Sequence, residues 1–167
     1  MVAHRRQGVK RVRPVSKMTP DADFISPETC ANVAPNGEPP MPRTSIHVGE
    51  IAHQSPIPNA SRIGHIIVSG LIRGADPATS KLATTLEQQC AFMFLHMRQT
   101  VEAGGATVED IIKVTVWMKE LQRQPVNDEW VTMFPDPASR PARQIMEVPM
   151  EAGVLIQCDF MAVIERN

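Results

Sequence analysis

The chain has 167 residues, a formal net charge of −1, 43% apolar residues and 4% aromatic ones, with no Tyr. That length accommodates one ordinary domain with an appendage rather than two. The near-neutral balance gives no field that would draw in nucleic acid or an anionic membrane, and no apolar run of about eighteen residues is present to form a transmembrane helix.

Cys30, Cys90 and Cys158 have neither CxxC nor zinc spacing, and an odd count argues against a disulfide framework. No apolar stretch before Met18 reads as a signal peptide. These features favour a reducing, cytoplasmic setting.

Residues 1–44 read as an arm. Arg5, Arg6, Lys10, Arg11, Arg13 and Lys17 precede any acid, and Pro20, Pro27, Pro35, Pro39, Pro40 and Pro42 follow. Prolines remove backbone donors, and neither helical nor strand periodicity is present, so an extended or disordered segment is expected. A basic start also suggests nucleic-acid binding or targeting. The simpler reading is a mobile arm, or translated sequence upstream of a start at Met18 or Met41.

A regular pattern occupies residues 45–167. Ile46, Val48 and Ile51 predict a first short strand, and Gly64 to Ile72 a buried one, ended by the Asp76-Pro77 turn. Leu82, Leu86, Cys90, Met93, Phe94, Met97 and Val101 recur at three- and four-residue steps, predicting a helix that Gly104-Gly105 stops. From Ile111 to Lys119 the chain alternates, with Ile112, Val114, Val116 and Met118 on one face and Lys113, Thr115, Trp117 and Lys119 on the other.

A second helix is predicted over Val126 to Phe134, with Trp130, Met133 and Phe134 inward and Pro135 and Pro137 beyond its end. Two closing strands, Ala142 to Val148 and Val154 to Ile164, are joined by a tight turn through Glu151-Ala152-Gly153. The expected class is α+β: a two-layer domain, with two helices covering one face of a mixed sheet. If Trp117 and Phe160 lie on the other face, that face needs burial as well, and a small domain of this kind usually oligomerises.

Four blocks now resemble a known family. Ile66-Ile67-Val68-Ser69-Gly70, Glu102-Ala103-Gly104-Gly105-Ala106, Glu109 to Val116 and Pro141-Ala142-Arg143 follow one another as do the signature blocks of the RidA/YjgF family, across nearly all of residues 46 to 164. The resemblance implies a chorismate-mutase-like fold and a homotrimer with clefts between subunits. It also implies hydrolysis of a carboxylate-bearing enamine or imine, such as a 2-imino acid or an aminomuconate, to a keto acid and ammonia, without metal or organic cofactor.

By the same resemblance, Arg143 takes the carboxylate-binding position, where a planar, permanently charged fork suits the ligand. Apart from it, Arg143 reads as a surface salt-bridge residue. Ser69 corresponds to a cleft-lining Ser, although it also simply ends a strand. The main chain at Ile145 faces the ligand and helps to hold the attacking water.

Two departures stand out. Where deaminating members carry a Glu on the last strand, counting back from Ala162-Val163 finds Gln157, which orients water but cannot accept a proton at neutral pH. Asp159, two residues on and about 7 Å away on the same face, is a candidate replacement base or an intersubunit salt-bridge partner. Cys158 alternates toward the helices as a small core residue.

Near the domain's start the family's Gly-Pro-Tyr is replaced within Ser55-Pro56-Ile57-Pro58-Asn59-Ala60, so Ile57 stands for the aromatic residue. His53 is a candidate titratable group at the cleft mouth, and Trp117 and Trp130 shape a pocket, seal an interface or pack the core. The Glu-to-Gln difference supports an alternative: a trimeric, non-catalytic carboxylate-binding protein. RNA cleavage, attached to some relatives, is not expected, because residues after 46 lack a basic stripe interleaved with aromatics.

Overall fold

The computed structural model describes residues 41–49 and 55–165, all within the compact unit that starts at Met41. The basic arm up to residue 40, Cys30, Ile51 and His53 lie outside the described residues.

The strands are β1 (Thr44–Ile46), β2 (Ala60–Ile63), β3 (Ile66–Ser69), β4 (Ile72–Arg73), β5 (Ile111–Met118), β6 (Ala142–Glu147) and β7 (Ile156–Val163), with helices α1 (Leu86–Ala103) and α2 (Arg123–Met133). They form one mixed sheet in the order β1-β2-β3-β7-β5-β6, with β4 also on β7. The fold is the expected α+β class. β2 has no counterpart among the predicted elements: Ala60 to Ile63 pairs antiparallel with β3 through the turn at Gly64, whose φ is 55°.

Helix α1 begins four residues later than its apolar spacing suggests. Thr85 caps it, its hydroxyl accepting from the Gln88 N–H at 3.3 Å, whereas Leu82 forms a β-bridge with Ala75. Gly104 ends the helix, and Gly105 follows at φ 78°, a conformation that favours glycine. Helix α2 starts before Val126, at Arg123. Pro125 is tolerated there because first-turn N–H groups have no intrahelical acceptor.

Cys90, Met93, Phe94, Met97 and Val101 of α1 pack on Val114, Val116, Met118, Ile156, Cys158, Phe160 and Ala162. Phe160 is therefore on the helix-covered face and not with Trp117. Alternation places it there, two residues from Cys158. One part of the predicted alternation fails: β7 pairs Ile111 with Ala162 and Lys113 with Met161, making Ile112 the extra residue of a bulge. Ile111 is buried as a result, and Ile112 is 48% exposed.

The turn before β7 exists, with Val154 N–H bonded to Glu151 O at 3.1 Å and Gly153 at φ 84°. It does not close a hairpin. β5 lies between the two closing strands, parallel to β6 and antiparallel to β7, because α2 returns the chain in the same direction.

Gln89, fully buried on α1, locks this turn to the helix. Its amide donates to Ala83 O and Gly153 O, both at 2.7 Å, and its carbonyl accepts from the Leu155 N–H at 2.9 Å. Gln89→Leu removes all three bonds without changing much volume. It is expected to lower the unfolding free energy by about 2–3 kcal/mol, read from the midpoint of urea denaturation at unchanged slope.

Candidate functional site

Residues directly opposite in paired strands share a face, so the register maps the open side of the sheet. One row runs Arg73, Gln157, Trp117, Met146, and the next Asp159, Thr115, Gln144. Further along stand Val68, Met161 and Lys113, then Ile63, Ile66 and Val163. One end of the face is thus polar and the other apolar, with Ile63, Ile66, Val68 and Met161 all exposed.

Gln157 and Asp159 are together on this face, both half-buried, while Cys158 between them points into the core. Among the described residues neither side chain has an ion-pair or hydrogen-bond partner. Arg73, opposite Gln157, bonds Glu151 at 3.1 Å. Burial, then Glu129 and Glu87, pushes the Cys90 thiol up to about 12; burial foremost also raises Cys158. Both are thiols and not thiolates near neutral pH, which suits core residues and not nucleophiles.

Ser69 is 8% exposed. Its hydroxyl accepts from the buried Phe160 N–H at 2.8 Å, filling the gap where β7 stops pairing with β3 and begins pairing with β4. The oxygen therefore serves the fold, and its proton stays available to donate. Ser69→Ala is expected to cost about 1–3 kcal/mol, the penalty of an unpaired buried donor, measurable by thermal or urea unfolding.

Ile57 is 52% exposed. Its loop is tied beside Ser69 because Asn59 O accepts from the Gly70 N–H at 2.8 Å while Asn59 Oδ1 accepts from Val48 N–H at 2.9 Å. Ile57 thus stands in the loop before β2, and Ser69 ends β3 beside β7, its side chain turned to the core side while Gln157 and Asp159 are on the open face.

Arg143 and Ile145 lie elsewhere. They pair with Val114 and Val116, whose side chains are in the core, so they stand on the helix side of β6. Arg143 Nη2 donates to Asn127 Oδ1 at 2.7 Å, and its Cζ lies 4.6 Å from the Trp130 ring centroid. Nη1 is enclosed without a hydrogen-bond partner. Burial, then the Arg123 charge, lowers the guanidinium below the ordinary arginine value, although an arginine stays charged throughout the working pH range.

β6 is an edge strand. Val148 N–H bonds Met118 O at 2.9 Å; by alternation the peptide groups of Met146 and Gln144 also face β5, and those of Arg143, Ile145 and Glu147 face the free edge. The Ile145 carbonyl is directed away from the sheet.

Within one chain, then, the sheet separates Arg143 and Ile145 from Gln157 and Asp159. An open groove of about 460 Å³ lies between α1 and α2 and is lined by residues such as Glu87, Arg123, Asp128 and Glu129. It contains none of the predicted site residues. Among the described residues no group of three or more His, Cys, Asp or Glu is placed to share a metal ion, and no helix is long and apolar enough to cross a membrane.

The model of the family described as endoribonuclease L-PSP matches residues 58–164. This chain belongs to the RidA/YjgF family. A RutC family protein of Aquifex aeolicus is 30% identical over 98 residues, 56% of this chain and 78% of that protein. A 2-iminobutanoate/2-iminopropanoate deaminase of Salmonella typhimurium is 34% identical over 101 residues, 59% and 78% of the two chains.

Among solved structures, the YjgF gene product of E. coli superposes with a TM-score of 0.66 at 26% identity, covering 73% of this chain and 99% of that one. RidA from a Psychrobacter species gives 0.67 at 22% identity over 72% and 99%, a likeness of fold. RidA/YjgF relatives therefore include proteins named as imine deaminases. What sequence reasoning missed in the RidA-like site is the support for Arg143: Asn127 lies sixteen residues away, and only the crossover of α2 brings it there.

Proposed function

We propose that this protein hydrolyses reactive enamines or imines that carry a carboxylate, of the 2-imino acid or aminomuconate kind, in a cleft completed by a second copy of the chain. An enamine first takes a proton on carbon to become the imine; water adds to the C=N carbon, and the C–N bond then breaks to release ammonia and the keto acid. Arg143 binds the carboxylate, the Ile145 carbonyl and Gln157 hold the water, Ser69 and Ile57 line the wall, and Asp159 accepts the proton.

The observation that carries this reading is the placement of one uncompensated guanidinium at a free sheet edge. The polar pair Gln157 and Asp159 lies on the opposite side of the same sheet, so no single chain gathers the set. An edge strand of one copy laid against the open face of another brings it together. The exposed Ile63, Ile66, Val68 and Met161 beside that polar pair supply the apolar contact such packing needs, and a trimer gives each open face a neighbour.

The test is ammonia release from freshly generated 2-imino acids and 2-aminomuconate, together with the mass of the assembly by light scattering. Turnover by a trimer supports the proposal; a monomer that turns over equally fast sinks the shared cleft. The specific alternative is a trimeric carboxylate-binding protein without hydrolysis, favoured by the amide at Gln157, where deaminating relatives carry a base. Tight binding of a keto acid with no turnover on any imine would establish it.

A further inference from the structure

An arginine side chain carries about 2 kcal/mol of rotamer entropy, and an anchor ordered only by its ligand gives that up on binding. Arg143 is ordered beforehand by two groups one turn apart on α2. Asn127 Oδ1 accepts from Nη2 at 2.7 Å, and the Trp130 ring lies 4.6 Å from Cζ. Trp130 is itself fixed, edge-on to Phe94 at 6.5 Å and tilted against Phe134 at 4.7 Å.

Both supports are neutral. A carboxylate at position 127 would hold the guanidinium equally well but would also cancel its charge; an amide and an indole hold it without cancelling it. Among the described residues Arg143 forms no ion pair. Arg123, one turn before Asn127 on the same face of α2, adds another positive charge. The surroundings thus orient the cation and leave its counter-charge to be supplied from outside.

We infer that Asn127 and Trp130 are positioning residues that pre-orient Arg143 while keeping its charge uncompensated, so that the ligand's carboxylate becomes its counter-ion. This inference rests on the reading of Arg143 as the carboxylate anchor. Asn127 and Trp130 act through Arg143 and do not touch the reacting atoms.

Asn127→Asp separates this role from a structural one, because Asp keeps the acceptor and the shape and changes only the charge. The full chain is titrated calorimetrically with 2-oxobutanoate, the keto acid that hydrolysis of 2-iminobutanoate yields, and thermal unfolding is recorded alongside. Asn127→Asp is expected to unfold at or above the wild-type temperature and to bind at least about tenfold more weakly, a change of about 1.4 kcal/mol. Asn127→Ala, which frees the guanidinium without neutralising it, is expected to weaken binding less. In turnover the Asp variant raises KM and leaves kcat nearly unchanged. Trp130→Leu weakens binding and Trp130→Phe restores it.

Wild-type affinity in both Asn127 variants, with binding lost in Arg143→Ala, overturns the inference and leaves the anchor standing. Equal binding by Trp130→Leu and Trp130→Phe removes the ring's part. Unchanged binding in Arg143→Ala, or no binding by wild type, overturns the anchor and this inference with it.

Discussion

Arg143→Ala is expected to lower kcat/KM for 2-imino acids by about ten- to a hundredfold and to leave the fold intact. A hydrogen bond to a charged group is worth about 1.5–3 kcal/mol, and each 1.4 kcal/mol is tenfold in affinity. The structural cost is smaller. Arg143 is half-buried, its amide partner Asn127 is also half-buried and can turn to water, and the ring of Trp130 loses a cation–π contact of about 0.5–1 kcal/mol. Ammonia release measured against imine concentration gives the ratio, and circular dichroism confirms the fold. A variant as fast as wild type removes the anchor and, with it, the proposed function.

Gln157→Glu is expected to accelerate turnover by about a hundredfold, because a carboxylate there is a general base on the water itself, whereas Asp159 stands about 7 Å further along the strand. The side chain is half-buried on the open face, opposite Arg73 and Trp117 and two residues from Asp159. Neighbouring Arg73 favours the ionised carboxylate and Asp159 opposes it; the new base works above its pKa, so the gain appears as pH rises through that value and is lost below it. An unchanged rate assigns proton transfer to Asp159, and Asp159→Asn then abolishes turnover. Activity that appears only in Gln157→Glu identifies a preserved cleft that has turned from catalysis to binding.

These two variants act on opposite sides of one sheet, and under the proposed function the reason they share a reaction is quaternary. Arg143 and Ile145 sit on the helix side of edge strand β6, Gln157 and Asp159 on the open side of β7. Ser69 and Gln89 serve the frame between them: the one mends the β3–β7 ladder at Phe160, the other ties α1 to the turn that starts β7.

Spacing alone determined α1 from Leu86 onward, its stop at Gly104-Gly105, the inward Trp130 of α2, and the division of β7 into the core residue Cys158 and the face residues Gln157 and Asp159. These follow from local periods of 3.6 and 2, which a sequence carries directly. Local periods also placed Arg143 and Ile145 on one face of their strand. Which face of the sheet that is depends on the partner strand, and β6 lies beside β5 rather than β7 because of the α2 crossover. The bulge at Ile112, the Ser69 bond to Phe160 and the Asn127 hold on Arg143 likewise depend on register between segments distant in the chain. Alternation tells which residues look the same way; only tertiary pairing decides what they look at.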